Sequence, residues 1–369
     1  MVIGIEAERA NLAAKTGVEH YAQQLIMHLA EIDRVNEYRL YLRTKPEPWF
    51  FSLPKNFSVR VIPFPVFWTQ LRISWEMIMH PVDVLFIPAS ALPLLHPKKS
   101  VVTIHDVAWL FYPETFTSLN RYFLRLSSWF AVRFAWRIIA VSHATKKDLV
   151  AEYGVDQKKV TVVHHGFALV NVGTDHRSVH QQGQVNDLSL QIPHPYILFL
   201  STLQLRKNLE GLIIAFRKLK QEYPELPHKL VVVGKPGWKT ESILKIIDTN
   251  KDVVIYLNHI SEAHKTEVLT QASALVIPSF YEGFGMQILE AFAANVPVAA
   301  SRVSSLPEVA GEAAVYFDPH DPVDIKNAIK NILLDKSLAD RLRQKGIERL
   351  QDFSWEKCAR ETLEVLQDS

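Results

Sequence analysis

Ala274-Leu275-Val276-Ile277-Pro278-Ser279-Phe280-Tyr281-Glu282-Gly283-Phe284-Gly285-Met286-Gln287-Ile288-Leu289-Glu290 runs from an aliphatic strand, through a glycine turn, into a helix. Four consecutive apolar residues at Ala274–Ile277 describe a strand covered on both faces, as in a parallel sheet flanked by helices. Gly283 and Gly285 permit a tight turn and close approach of a ligand to the backbone. The first amides of the following helix have no partner within it and suit an anion.

The same strand–helix unit repeats outward. Upstream lie strands at Tyr196–Leu200, Leu230–Val233 and Val253–Leu257, with helices near 209–223 and 262–272. Downstream, helices near 286–294 and 323–334 alternate with strands at Pro297–Ala300 and Val315–Phe317. Asp321-Pro322-Val323-Asp324 is a helix start, with a carboxylate cap and Pro in the first turn. Ser305-Leu306-Pro307-Glu308 has capping-box spacing. Residues 335–366 are helical by pattern, with a bend near Asp352–Ser354.

The first half repeats the theme with strands at Val2–Ile5, Tyr38–Leu42, Val59–Ile62, Val84–Ile87, Val101–Ile104, Ile138–Val141 and Val160–Val163. Gly17–Ile32 places Tyr21, Leu25, Ile26 and Leu29 at helical spacing. Between the halves, residues 171–195 are polar, carry Gly173 and Gly183, end in Pro193 and Pro195, and keep neither periodicity. The pattern predicts an α/β protein with two doubly wound, Rossmann-like domains: 1–172, a linker at 173–195, 196–350, and a C-terminal helix at 351–369 returning to the first domain. The cleft between such domains is the default ligand site.

Composition narrows the function. The 369 residues are 48% hydrophobic and 22% charged, enough for large cores rather than disorder. Lys and Arg total 41 against 39 Asp and Glu, without the basic excess of a nucleic-acid binder. A single cysteine, Cys358, excludes an intrachain disulfide and a thiolate metal cage. The N-terminus becomes charged too early for a signal peptide, and no apolar run is long enough to span a bilayer. A cytoplasmic location is expected. No G-x-G-x-x-G follows the first strand, and there is no phosphate-binding G-x-x-x-x-G-K-S/T, G-x-S-x-G, H-E-x-x-H or D-x-D.

Glu282 and Glu290 are too far apart for one metal clamp, but each carboxylate can accept from the hydroxyls of a diol. With helix amides between them they fit a nucleoside diphosphate sugar. The competing reading is a helix cap at Glu282 and a solvated Glu290. Arg206 and Lys207, in Ser201-Thr202-Leu203-Gln204-Leu205-Arg206-Lys207-Asn208, offer a guanidinium fork and a compact charge for a departing diphosphate. The alternative there is two surface bases at a helix start. His105 ends a strand, placed either for catalysis and sugar contact or for bonding loops. Gly17 lets the backbone approach a phosphate or an acceptor. His164 and His165 are neighbours at a strand end and point to opposite faces, which speaks against joint metal ligation.

These stretches resemble the retaining glycosyltransferases of family 4, with the GT-B fold. Glu282 to Glu290 matches the family's E-x7-E signature, embedded in IPSFYEGFGMQILEAFAANVPVAASRVSSLPEVAG. TIHD, SHATKKDL, VTVVHHG, LSTLQLRKN and AAVYFDP look like the mannosyltransferase-B-like branch, which builds O-antigen and other surface polysaccharides. The resemblance implies that Glu290 binds ribose hydroxyls and that Glu282 holds the donor sugar. Phe284, Gly285 and Met286 would give backbone contacts, and Lys207 would hold the diphosphate. His105 would meet the sugar near its 6-hydroxyl, and the backbone at His259–Ile260 would face the base. Gly17 would line the phosphate or acceptor side. Many relatives carry Arg at the position of Thr202; here Arg206 sits beside Lys207 instead. His165-Gly166 replaces the usual Asn-Gly.

The function expected is metal-independent transfer of a hexose, with GDP-mannose as donor, to a glycan or polyprenyl-diphosphate-linked acceptor. No cofactor is expected beyond the nucleotide sugar. The alternatives are a UDP-sugar transferase, a sugar-nucleotide epimerase or hydrolase, and a non-catalytic scaffold. With no obvious covalent nucleophile, same-face attack assisted by the leaving phosphate is the expected route. Residues 121–137 carry four arginines, no acid and six aromatics. They read first as a core helix with snorkelling arginines, and second as a peripheral contact with an anionic membrane.

Overall fold

Runs of β-branched and aliphatic residues become strands wherever helices cover both faces of a sheet. The computed structural model describes residues 1–12, 17–167, 192–258 and 260–368. The loop at 13–16, most of the expected linker at 173–195, and His259 lie outside the described residues.

The chain divides into two units. Unit 1 comprises Met1–Pro113, Ser118–Gly166 and Phe353–Ser369. Its strands are β1 (Val2–Glu6), β2 (Glu37–Leu42), β3 (Phe57–Val61), β4 (Val84–Ile87), β5 (Ser100–Ile104), β6 (Arg137–Ala140) and β7 (Val160–Val162). They form one parallel sheet in the order β3-β2-β1-β4-β5-β6-β7. Ile3 lies between Tyr38 and Val84, and all three are buried. The order reverses between β1 and β4, so the crevice beyond their carboxyl ends is this unit's switch point.

The unit's helices are α1 (Gly17–Ile32), α2 (Ser74–Met79), α3 (Ala108–Phe111), α4 (Ser118–Phe134) and α5 (His143–Tyr153), together with α13 (Trp355–Gln367). In α1 the buried face is Tyr21, Leu25, Ile26 and Leu29, as their spacing dictates. Against α1 packs α13. Its first residue approaches Gly166 so closely that a Cβ there would lie 2.2 Å from the backbone nitrogen of Trp355. Helix α4 corrects the first reading of 121–137. It ends at Phe134 and buries Ser128, Ala131 and Val132 while leaving Tyr122, Phe123, Trp129 and Phe134 exposed and Phe130 half-buried, so it is not a core helix. Arg137 belongs to β6 and pairs with Asp368 at 2.6 Å.

Unit 2 comprises Glu114–Thr117 and Phe167–Asp352. Strands β8 (Tyr196–Leu200), β9 (Lys229–Val233), β10 (Val254–Leu257), β11 (Ala274–Ile277), β12 (Val298–Ser301) and β13 (Ala314–Phe317) form a parallel sheet ordered β10-β9-β8-β11-β12-β13. Here the reversal falls between β8 and β11. Around it lie α6 (Leu209–Glu222), α7 (Glu241–Thr249), α8 (Glu262–Thr270), α9 (Met286–Ala293), α10 (Leu306–Ala310), α11 (Pro322–Leu334) and α12 (Lys336–Leu350). Helix α11 packs on α6, burying Ile325 and Ile329 in one core with Leu212 and Phe216. Asp321 caps α11 by accepting from the Val323 amide. The chain breaks between α12 and α13 where the bend is expected. Helix α7, absent from the sequence reading, is short and buries Ile243 and Ile247, one turn apart. The capping box at Ser305–Glu308 is also corrected: Ser305 makes no side-chain cap, because its hydroxyl is turned elsewhere.

Candidate functional site

Strands β8 and β11 are neighbours at the switch point of unit 2, so the loops leaving their carboxyl ends are brought side by side. The loop after β8 closes in a 3₁₀ turn, Leu205–Lys207, and ends at Asn208. Asn208 takes a left-handed conformation, φ 55°, which its short amide tolerates. Its side chain caps α6 at the Gly211 amide and donates to the Pro319 carbonyl at 2.8 Å. That anchored bend fixes Arg206 and Lys207. The loop after β11 runs alongside: the Phe280 amide donates to the Arg206 carbonyl, and Arg206 Nη1 donates to the Tyr281 carbonyl, each at 2.9 Å.

The two loops meet at Glu282. Lys207 Nζ donates to its Oε1 at 2.5 Å and its Oε2 at 2.6 Å. Ser279 Oγ donates to Oε1 at 2.7 Å, and Arg206 Nη1 stands 3.6 Å from Oε2. Lys207 and Glu282 are both buried. Burial alone would push the Glu282 carboxyl up, but Lys207 and Arg206 outweigh it and hold the group below the ordinary carboxylate range. Glu282 is therefore ionised at neutral pH, and its oxygens are acceptors only. The trio carries a net charge of +1, matched to an anion.

The turn that follows is held from beneath. Ser305 Oγ lies 2.9 Å from the carbonyls of both Glu282 and Phe284, which is why it does not cap α10. Ser304 Oγ accepts from the Glu282 amide at 2.9 Å. Gly285 has φ 98°, and a Cβ there would sit 2.8 Å from Leu306 Cδ2, so both conformation and space require glycine. Met286 then begins α9. Glu290 lies within α9, half-buried, and pairs with Lys265 of α8 at 3.0 Å. The structure thus brings Arg206, Lys207 and Glu282 together with the Phe284–Met286 turn, while Glu290 has its own cation. Ile260, half-buried, precedes Ser261, whose side chain caps α8.

In unit 1, His105 follows β5 and Gly17 opens α1. His105 Nε2 lies 3.0 Å from the Pro88 carbonyl, just past β4. A carbonyl only accepts, so Nε2 carries the proton and Nδ1 presents its lone pair. Nδ1 is buried and finds no hydrogen-bond partner among the described residues. Burial holds the His105 imidazole below its ordinary range, so the ring is neutral near pH 7. The Tyr21 ring lies edge-on to His105 at 4.9 Å and stacks on His165 at 4.7 Å, and His165 stacks in turn on Trp355 at 6.2 Å. His164 turns instead toward His143 and Phe353. Among the described residues, apart from its chain neighbours and its own helix backbone, no atom lies within 4 Å of a Cβ placed on Gly17.

A family model for glycosyltransferase family 4 matches residues 15–169, and one for glycosyl transferases group 1 matches residues 185–349. Together they span both units. This chain is a glycosyltransferase of the GT-B fold. It is 27% identical to O-antigen chain mannosyltransferase B of Escherichia coli over 268 residues, 72% of this chain and 69% of that protein. Among the first curated relatives, the aligned part covers between 52% and 69% of their own length. The sucrose-phosphate synthase of Thermosynechococcus elongatus superposes on the whole glycosyltransferase with a TM-score of 0.75 at 18% identity, covering 98% of that structure. Anabaena Alr3699/HepE, solved in complex with UDP and glucose, gives 0.71 at 17% identity, with 100% of this chain and 99% of that one covered.

Several residues that pack around the candidate positions carry no signal that the sequence reading used. Ser279 stands three residues before Glu282, a spacing that gains meaning only once the acid is known to be buried. Lys265, Ser304 and the Tyr21–His165–Trp355 stack carry no local signal, since each partner comes from a distant part of the chain.

Proposed function

We propose that this glycosyltransferase moves a hexose from a UDP-sugar to a glycan or polyprenyl-diphosphate-linked acceptor, with retention at the anomeric carbon. The carrying observation is the buried Lys207–Glu282 pair with Arg206 beside it at the β8/β11 switch point. It sets two cations next to an ionised carboxylate, as a sugar diphosphate requires. Solved HepE in complex with UDP and glucose supports a uridine donor. GDP-mannose is the second reading, favoured by the mannosyltransferase name of the 27% identical relative.

In this reading Lys207 and Arg206 bind the diphosphate, where negative charge grows as the glycosidic bond breaks. Glu282 accepts from hydroxyls of the donor sugar, and Glu290 from those of the ribose. Phe284, Gly285 and Met286 contribute backbone, and Ile260 lies toward the base. From unit 1, His105 meets the donor sugar near its 6-hydroxyl, and Gly17 leaves room on the phosphate or acceptor side. The bond from the anomeric carbon to the phosphate oxygen breaks as the bond to the acceptor oxygen forms on the same face. The acceptor's proton passes to the leaving phosphate.

The test is a thermal-shift and turnover screen over UDP-, GDP-, ADP- and dTDP-sugars, followed by NMR of the product. A retained linkage from a UDP-sugar is the expected result. An inverted linkage rejects the same-face route, selective use of GDP-mannose moves the donor to the second reading, and donor breakdown without transfer to any acceptor indicates a hydrolase. A strict metal requirement contradicts a diphosphate held by Arg206 and Lys207.

A further inference from the structure

Helix α4 is amphipathic in the wrong sense for a domain core. At 100° per residue, its exposed Tyr122, Leu126, Trp129, Arg125 and Arg133 fall within an arc of about 100°. Tyr122 is 68% exposed, Leu126 51% and Trp129 50%. No carboxylate occurs anywhere in Ser118–Phe134.

A second segment carries apolar side chains outward from the same region of unit 1. It comprises the helical turn at Trp68–Ile73, α2, and the loop at Leu94–Leu95. Trp75 is 59% exposed, Ile78 54% and Leu95 55%. The two parts are physically joined. The Leu95 amide donates to Ser74 Oγ at 3.0 Å, Ser127 Oγ of α4 donates to the Ser90 carbonyl at 3.1 Å, and the His96 ring meets Phe130 of α4 edge-on at 6.4 Å.

The charges of the second part are turned inward. Its one acid, Glu76, is buried and takes Arg60 at 2.9 Å and Arg72 at 3.1 Å. Over 66–79, 94–99 and 118–134 there is therefore no exposed carboxylate, while Lys98, Arg121, Arg125 and Arg133 are exposed.

We propose that this joined face docks unit 1 onto an anionic lipid membrane, with α4 supplying the cations and Trp75, Ile78 and Leu95 entering the interface. Cations on segments that carry no exposed carboxylate of their own complement lipid phosphates, and aromatic and aliphatic side chains gain by leaving water at headgroup depth. A second copy of the chain is disfavoured as the occupant, because it would set like charges against each other. The proposal deepens the acceptor side of the functional reading, placing the enzyme where a lipid-linked acceptor resides. No helix among the described residues is long and apolar enough to cross a membrane.

The experiment is co-sedimentation of the full chain with vesicles of mixed phosphatidylglycerol and phosphatidylcholine, and with phosphatidylcholine alone. Binding to the mixed vesicles only, weakening with salt, is the expected result. Arg125→Gln with Arg133→Gln should lose about fivefold per charge. Trp75→Ser with Ile78→Ser should lose the portion of binding that survives high salt. Circular dichroism and donor turnover without lipid, read on each variant, confirm that the fold stands and keep this test separate from that of the reaction. Equal binding to both vesicle types, or full binding by both variants, overturns the proposal. So does a concentration-dependent dimer, broken by the Trp75 and Ile78 changes, in a chain that ignores vesicles.

Discussion

Lys207 holds both carboxylate oxygens of Glu282, at 2.5 and 2.6 Å, across seventy-five residues of chain. The pair is buried, so each charge depends on the other. Removing one partner of a buried pair leaves an uncompensated charge, at a cost of about 3–5 kcal/mol. With Arg206 still 3.6 Å from Glu282, the lower end of that range is expected for Lys207→Met. Glu282→Gln should destabilise too, and the double variant by less than the sum, with a coupling of about 1–3 kcal/mol by denaturant unfolding. Strictly additive effects would show that the pair is not an energetic unit. In turnover, Lys207→Met should lower kcat/KM by about 10²–10³, as for other groups that meet developing charge.

Acid should weaken this pair in a definite direction. The Glu282 carboxyl is held below its ordinary range in the folded protein. Its contribution to stability is therefore complete above the unfolded carboxyl pKa and is lost as pH falls through the folded value. A thermal midpoint that falls on acidification less steeply in Glu282→Gln than in the native chain is the expected result.

Glu6, at the carboxyl end of β1, has the opposite sign. Burial pushes its carboxyl from 4.5 up to about 7. A folded pKa above the unfolded one means that stability present at low pH is lost as pH rises through about 7. The ionised form then costs on the order of 3 kcal/mol at pH 8. Glu6→Gln should therefore raise the thermal midpoint at pH 8 and change it little at pH 4. An equal shift at both values would remove titration as the cause.

His105 should work as a neutral ring. Because burial keeps its imidazole below the ordinary histidine range, kcat/KM should stay flat down through pH 6.5 rather than fall there. His105→Ala should lower kcat/KM about tenfold, the order of one hydrogen bond lost to the substrate. A profile with an acid limb at pH 6.5 that survives His105→Ala would assign the titration to another group.

Gly166→Ala tests the anchoring of the C-terminal helix. Its Cβ would fall 2.2 Å from the Trp355 backbone nitrogen, and backbone cannot turn aside as a side chain can. Overpacking of this kind costs about 1–3 kcal/mol or more. Faster proteolysis within 353–368, with unit 2 left intact, is the expected readout by limited digestion and mass spectrometry.

The alternation of apolar runs with 3.6-residue periodicity was enough to place the strands and most helices, because burial on both faces of a parallel sheet leaves no polar residue in a strand such as Ala274–Ile277. The Asp321 cap, the break before Trp355 and the glycine turn before Met286 were equally local, since each is set by the conformational limits of a few adjacent residues. What the chain does with its charges was not local. Arg206 and Lys207 meet Glu282 because β8 and β11 become neighbours in the sheet, an order that no short stretch encodes. Lys265 reaches Glu290, and Ser305 abandons a cap to hold two carbonyls, for the same reason. Periodicity reports that α4 has an apolar face, but only the packing around it decides whether that face is covered, and here Trp129 and Tyr122 remain exposed to water.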